Sequence, residues 1–354
     1  MSVVKSTGYQ IVIGNSALKA LCDFLIKNEY QQTFILCDDH TIQHCLPILI
    51  ATCLPLKEAA IIEVKHGESA KSLEFCAHIL QTFIEHKADK NCLVVNLGGG
   101  VISDLGGFNA SIYKRGIDYI NIPTSLLAMA DASIGGKTGI DFGGIKNVVG
   151  TFSKPKSVFI FPGFLKTLSA RHYKNGLAEV FKIALVADKS LWNELKVNVP
   201  KIDPVKLIIN SVTLKNKIVE KDPHDRGVRK ILNFGHTIGH ALESLFLGSV
   251  AELLHGEAIV IGMIVESHLA LQKKTISKSV FKEISSVLFS VFAPPQLPQF
   301  SKKSLFDLMA NDKKNLGSKC RFSLPDKIGS CKYDVEITEA QIKKALIFYV
   351  SSNK

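Results

Sequence analysis

The chain has 354 residues, of which 46% are hydrophobic and 21% charged. This composition excludes a disordered or collagen-like chain, and the length allows one large or two medium domains, each with its own core. The formal net charge of +11 reflects either a lysine-rich solvated surface or an anionic partner; with no polybasic run and no nucleic-acid-binding motif, a phosphorylated or carboxylated metabolite is expected, and neither nucleic acid nor a membrane.

The N-terminal stretch MSVVKSTGYQIVIGNSALKAL lacks the apolar core and cleavage pattern of a signal peptide. TFILC (33–37) predicts a buried strand that ends in Asp38 and Asp39. CLPILIATCLPL (45–56) is too short to span a bilayer and carries two prolines. AAIIEV (59–64), NCLVVNL (91–97) and DYINIP (118–123) predict three more strands. SLEFCAHILQTFIEH (72–86) has apolar residues every three or four positions and predicts a helix. Strands alternating with helices argue for a parallel α/β sheet. The eight cysteines include no C-x-x-C pair and several sit in apolar runs, the pattern of buried free thiols in a reducing cytoplasm.

LVVNLGGGVISDLGGF (93–108) is a strand, three glycines and a helix start. Gly98, Gly99 and Gly100 allow close backbone approach of a ligand, and the following helix points its N–H groups at the loop, as a pyrophosphate cradle requires. A glycine-rich turn after a strand is also ordinary loop chemistry. A dinucleotide fingerprint further wants an acid about twenty residues later; here the available acid is Asp38, at the end of an earlier strand, so the topology departs from the usual order. The stretch 125–152, with Asp131, Lys137, Lys146 and Asn147, is glycine-rich and polar, and is expected to be flexible and outside the core. Lys114–Arg115 and Lys313–Lys314 form further basic clusters. Each alone reads as solvated surface; together with a nucleotide loop they favour an anionic substrate.

Beyond about residue 165 the texture becomes helical, in segments such as NGLAEVFKIALVAD, TIGHALESLF, HGEAIVIGMIVESHLALQKK and AQIKKALIFYV. The expected architecture is an α/β nucleotide-binding domain (1–163) followed by an all-α metal- and substrate-binding domain (164–354), with substrate in the cleft. His236 and His240 share a helical face, His255 follows in LLHGEA, and Glu179 lies in NGLAEVFK. Catalytic zinc often takes two His and one Glu. An H-x-x-x-H pair by itself is equally a core or surface feature. Gly235, Gly239 and Gly256 beside the imidazoles are expected to give a ligand room.

Taken together, GGGVISDLGGF, YKRG, PTSLLAMADASIGGKTGID, IKNVVGTF, AEVFK, RKILNFGHTIGHALE, HGEA and DKKN resemble, in order, the motifs of 3-dehydroquinate synthases over about residues 30–330. The resemblance implies a dehydroquinate synthase-like fold, NAD, and one zinc or cobalt ion per subunit. It implies metal ligands at Glu179, His236 and His255. It implies NAD contacts at Asp38, Glu68, Lys71, Gly99, Gly100, Asp104, Thr124, Ser125, Lys137, Lys146, Thr167 and Leu168. Substrate contacts are implied at Asp131, Lys137, Asn147, Lys182, Lys215, Arg229, Asn233, His240 and one lysine of Lys313–Lys314. Arg115 resembles the arginine that the family lends across a homodimer interface. His40 stands where the family has Asn, and Ser125 where it has Thr. The implied substrate is a phosphorylated, carboxylated sugar acid.

Overall fold

The computed structural model describes residues 1–198, 202–310 and 320–352. The chain divides into two compact units, residues 1–173 with 203–216, and residues 174–202 with 217–354.

The first unit is built on strands β1 (Ser2–Ser6), β2 (Tyr9–Ile13), β3 (Gln32–Asp38), β4 (Ala60–Val64), β5 (Cys92–Gly98), β6 (Asp118–Pro123), β7 (Lys137–Phe142), β8 (Ile145–Phe152) and β9 (Ser157–Ile160). Its helices include α1 (Ala17–Asn28), α2 (Asp39–His44), α3 (Leu46–Thr52), α4 (Leu73–Glu85) and α5 (Gly100–Ile112). Seven strands form one sheet in the order β1-β2-β9-β6-β5-β3-β4, parallel except for the β1–β2 hairpin at one edge. β5 is central and every one of its residues is buried, which is why it reads as a continuous apolar run. The four strands expected from apolar runs are β3 to β6. β1, β2 and β9 are short and were not singled out; β2 and β9 join the sheet through partners more than a hundred residues away.

The chain passes from β3 outward to β4 and then back across β3 to β5. β3 and β5 are therefore neighbours from which the chain departs in opposite directions, and ligand sites in open α/β sheets lie at the carboxyl ends of such strands. Cys37 pairs with Leu97, so Asp38 stands beside the start of the triple-glycine turn. The acid that seemed misplaced in sequence is adjacent in space.

Residues 125–152 are not a flexible polar loop. Ala128, Met129 and Ala130 are buried in a short π-helical turn, and β7 and β8 form an antiparallel hairpin with Thr138 and Ile140 buried. Backbone pairing satisfies the polar groups, and the glycines allow the two strands to approach closely: a Cβ on Gly150 would lie 2.4 Å from the Thr138 carbonyl.

Among the described residues, the second unit is helical apart from one hairpin and its connecting segments. Helices α6 (Ala170–Ala187) and α8 (Pro204–Lys221) contribute their C-terminal parts to it. It contains α7 (Lys189–Asn198), α9 (His236–Phe246), α10 (His255–Gln272), α11 (Lys278–Phe292), α12 (Lys302–Ala310) and α13 (Glu339–Ser352). The hairpin pairs β10 (Cys320–Lys327) with β11 (Ser330–Ile337) and is an addition to the all-α expectation. α10 is buried on nearly every side and is the core about which the unit packs. No described helix is long and apolar enough to cross a membrane.

Cys37, Cys45, Cys53, Cys76 and Cys92 are buried as free thiols. Burial pushes Cys37 and Cys45 up to about 12 and Cys92 to about 11, so none is a thiolate near neutrality. Titration of the native protein with an aromatic disulfide at pH 8 is expected to modify no more than the three half-buried thiols Cys22, Cys320 and Cys331, and all eight after unfolding. A fourth fast-reacting thiol in the native protein would contradict this packing.

Candidate active site

In the first unit, Asp38 closes β3 and caps α2: its Oδ1 accepts from Thr41 N at 2.7 Å and from Thr41 Oγ1 at 2.9 Å. Gly99 caps α5, whose N-terminal amides face the loop. Thr124 N donates to Gly98 O at 3.0 Å, and the Ser125 hydroxyl accepts from Ala128 N at 3.3 Å, which holds Gly99, Gly100, Thr124 and Ser125 in one neighbourhood. A Cβ on Gly99 would lie 3.5 Å from Ser125 Oγ.

A partly buried charge network lies alongside. Lys71 donates to Asp104 Oδ2 at 2.8 Å and to Asn147 Oδ1 at 2.5 Å, and Lys146 pairs with Glu68 at 3.0 Å. Burial works against the Lys71 ammonium, but Asp104, Glu68 and Asp141 outweigh it and hold its pKa above the usual lysine value. Asn147 is held in a left-handed conformation with φ 53° while its N–H donates to Asp141 Oδ1 at 2.8 Å. The structure thus joins five of the predicted residues, Glu68, Lys71, Asp104, Lys146 and Asn147. Asp131 and Lys215 form a separate pair, Nζ to Oδ1 at 2.8 Å. Lys137 is exposed at the start of β7. Thr167 ends a short helical turn after β9, where its hydroxyl donates to Phe164 O at 3.2 Å, and Leu168 follows. Arg115 is exposed beyond the C-terminal end of α5, roughly 20 Å from the glycine loop at 1.5 Å per helical residue. His40 is exposed, with its ring stacked on His66 at 4.0 Å. Lys313 and Lys314 lie outside the described residues.

In the second unit, five predicted side chains converge: Glu179, Lys182, His236, His240 and His255. Ligating atoms of His236, His240 and His255 lie within 4.8 Å of one another. The buried Glu179 carboxylate reaches into the group: its Oε1 is 3.6 Å from His236 Nε2 and 3.5 Å from His255 Nε2. Neither oxygen of Glu179 accepts a hydrogen bond, although the Lys182 ammonium is in ionic contact with Oε2. His236 Nδ1 faces Phe234 O at 3.2 Å and His255 Nδ1 faces Glu243 Oε2 at 3.2 Å. Both acceptors suit Nδ1–H, which leaves Nε2 of each ring as the atom facing the same carboxylate oxygen. A buried carboxylate and two Nε2 atoms turned toward it are the donor set a divalent zinc-like ion takes. Burial lowers His255, but Glu243 and Glu179 outweigh it and raise it to about 10, so a cation entering the site would displace a proton from this ring; burial and Lys182 push His236 well below its ordinary value.

The glycines flanking the imidazoles serve packing, which corrects the expectation that they give a ligand room. A Cβ on Gly256 would lie 2.1 Å from Asn175 O, one on Gly239 would lie 2.8 Å from Ile259 Cδ1, and one on Gly235 would lie 2.8 Å from Met263 Cγ. Gly256 N also donates to Asn175 Oδ1, which ties α10 to α6 one turn before Glu179. Arg229 and Asn233 share the turn that precedes α9; Arg229 is buried and donates to Pro223 O at 2.7 Å, and the Asn233 amide nitrogen is buried without a hydrogen bond. Glu243 and Glu266 were missed. Glu243 completes an H-x-x-x-H-x-x-E face on α9, a spacing that could have flagged it.

An α/β unit with ligand groups at the carboxyl ends of its strands, joined in one chain to a helical unit with a buried Glu–His–His centre, has the organisation of the sugar phosphate cyclases. The structure is similar to 2-epi-5-epi-valiolone synthase (ValA) from Streptomyces hygroscopicus subsp. jinggangensis with NAD+ and Zn2+ bound, at TM-score 0.86 and 28% identity over 99% of both chains. It shares its fold with 2-deoxy-scyllo-inosose synthase complexed with carbaglucose-6-phosphate, NAD+ and Co2+, at TM-score 0.87 and 22% identity over 98% of this chain and 99% of that one. The chain belongs to the 3-dehydroquinate synthase family: the family's N-terminal model matches residues 61–175 and its C-terminal model residues 176–315. It is 37% identical to the 3-dehydroquinate synthase of Parabacteroides distasonis over 97% of this chain and 98% of that protein.

Proposed function

We propose that this chain converts 3-deoxy-D-arabino-heptulosonate 7-phosphate into 3-dehydroquinate and inorganic phosphate, a carbon–oxygen lyase reaction in the shikimate pathway to chorismate and the aromatic amino acids. In this reading residues 1–163 bind NAD, residues 164–354 hold the metal and most of the substrate, and the enzyme works as a cytoplasmic homodimer with one zinc or cobalt ion per subunit. One observation carries the metal-dependent chemistry: two imidazole Nε2 atoms from two different helices face the same oxygen of a single buried carboxylate.

Glu179, His236 and His255 would hold the ion. Asp38, Glu68, Lys71, Gly99, Gly100, Asp104, Thr124, Ser125, Lys146, Thr167 and Leu168 would hold the dinucleotide, Asp38 as the acid suited to a ribose and the α5 amides as donors suited to a pyrophosphate. When bound, NAD would supply a reversible hydride acceptor for the carbon-5 alcohol and the metal a Lewis acid for its oxygen. Lys182 and Asp131 donate and accept at the substrate hydroxyls. Arg229 and Lys215 take the carboxylate, and Asn233 hydrogen-bonds the ring. Lys137, Asn147, His240, Arg115 of the adjoining subunit and a lysine of Lys313–Lys314 position the phosphate, which takes the carbon-6 proton as it leaves.

Incubation of the purified protein with the heptulosonate phosphate, NAD and zinc should yield phosphate and dehydroquinate in equal amounts with no accumulation of NADH. A chelator should stop both products, and glucose 6-phosphate, which lacks the carboxylate, should not be turned over. Stoichiometric NADH, or phosphate release that ignores the chelator, would refute the cyclase reading.

A further inference from the structure

Among the described residues, the buried acids are three glutamates, Glu179, Glu243 and Glu266, and all belong to the helical unit. Burying a carboxylate is unfavourable by several kcal/mol unless it is paired or hydrogen-bonded, so each needs a reason. Glu179 has one in the metal centre. The other two face the histidine-bearing ends of α9 and α10, in a crossed arrangement. Glu243, on α9, stands 3.2 Å from Nδ1 of His255, the first residue of α10. Glu266, on α10, accepts from Gly235 N at 2.6 Å and Ile238 N at 3.1 Å, the amides on either side of His236 at the start of α9.

We infer that Glu243 and Glu266 are positioning residues of the metal centre, each carried by one histidine helix and fixing the histidine end of the other. The inference rests on the metal reading above and deepens it.

Each glutamate does a distinct job. Glu243 accepts the Nδ1–H of His255, which selects the tautomer with its lone pair on Nε2 and keeps the ring from turning away from Glu179. An imidazole without such an acceptor can rotate or exchange tautomers, and a carboxylate acceptor also makes it a stronger donor to a cation. Glu266 satisfies two of the N-terminal amides that α9 cannot bond internally, at the positive end of the helix dipole. It does so one turn beyond Gly262, whose backbone touches Gly235. His236 comes next in the chain, so the clamp on the Gly235 and Ile238 amides fixes where its ring begins. A cap serving only helix stability would be met by any Ser, Asp or Asn at the N-cap position. Here that position is Gly235 with φ 82°, and the capping charge comes from the helix that bears the other histidine.

The test is metal affinity, measured apart from turnover. Full-length wild type, Glu243→Gln, Glu243→Ala and Glu266→Gln would be stripped of metal and titrated with Zn2+ against a chromogenic chelator. The visible spectrum of each Co2+ derivative would be recorded. The fluorescence of Trp192, the only tryptophan, packed on Phe181 of α6, reports whether the core is intact. Glu243→Ala is expected to bind Zn2+ about 10–100-fold more weakly with an altered Co2+ spectrum. Glu243→Gln, whose amide oxygen still accepts from Nδ1–H, should fall between Ala and wild type. Glu266→Gln should weaken binding about 10-fold. A purely structural role would lower the melting temperature of the metal-free proteins and leave the Co2+ spectrum and Zn2+ affinity unchanged; that outcome in the near-isosteric Gln variants overturns the inference while the metal reading stands. Should Glu243→Ala fail to fold, the Gln variants decide. Wild type that takes up no ion would instead overturn the metal reading, and this inference with it.

Discussion

Glu179→Ala is expected to abolish stoichiometric metal binding and turnover, and also to destabilise the metal-free protein by about 3–5 kcal/mol, because it leaves a buried ammonium without its counter-charge. Lys182 is fully buried in ionic contact with Glu179 Oε2. With the carboxylate gone, its charge faces the His236 imidazole and the surrounding core. For a protein of this size the loss corresponds to a fall in melting temperature on the order of 10 °C. The double variant Glu179→Ala/Lys182→Met removes both charges and should recover most of that stability without recovering metal, since a well-packed apolar replacement of a buried pair is often neutral. Thermal melts in the presence of chelator, with metal content measured alongside, separate the two effects. If the single variant melts with the metal-free wild type, the buried pair does not exist as described.

Gly262→Ala is expected to be nearly as damaging, although the added methyl touches none of the three proposed ligands. A Cβ there would lie 1.9 Å from Gly235 O and 3.0 Å from Gly239 N. Both are backbone atoms of the α9 start, so no side chain can turn aside. The helices must separate by about 1.5 Å to restore ordinary contact, at an overpacking cost of about 1–3 kcal/mol or more. That displacement exceeds the ±0.2 Å or so within which ligand distances are held in a metal site. The variant should therefore lose metal affinity as well as stability. Full metal content together with a wild-type melting temperature would show that α9 and α10 are not in backbone contact.

Some of this was legible in the residues taken in order. β3 to β6 read as apolar runs because both faces of a parallel sheet are covered, and α4, α9, α10 and α13 declare themselves by periodicity or by length of apolar run. The triple glycine before a helix and His236 four residues from His240 are local patterns, and local patterns survive in one dimension. Residues 125–152 misled for the same reason. Their glycine content reads as flexibility, whereas the pairing of β7 with β8 makes glycine a requirement of close approach.

By itself, then, the sequence determined the alternation of strand and helix, the helical second half, the ligand types available and the family that their order resembles, because propensity and periodicity act over a few residues. Tertiary structure alone decided that β3 lies beside β5, which places Asp38 at the glycine turn. It decided that β2 pairs with β9 across most of the first unit, and that Gly235, Gly239 and Gly256 are contact points between helices. It also decided that Glu243 and Glu266 reach across to the histidine ends of each other's helices. Each of these depends on which distant surfaces meet, and burial of apolar area, being non-directional, does not encode its partner in the local pattern.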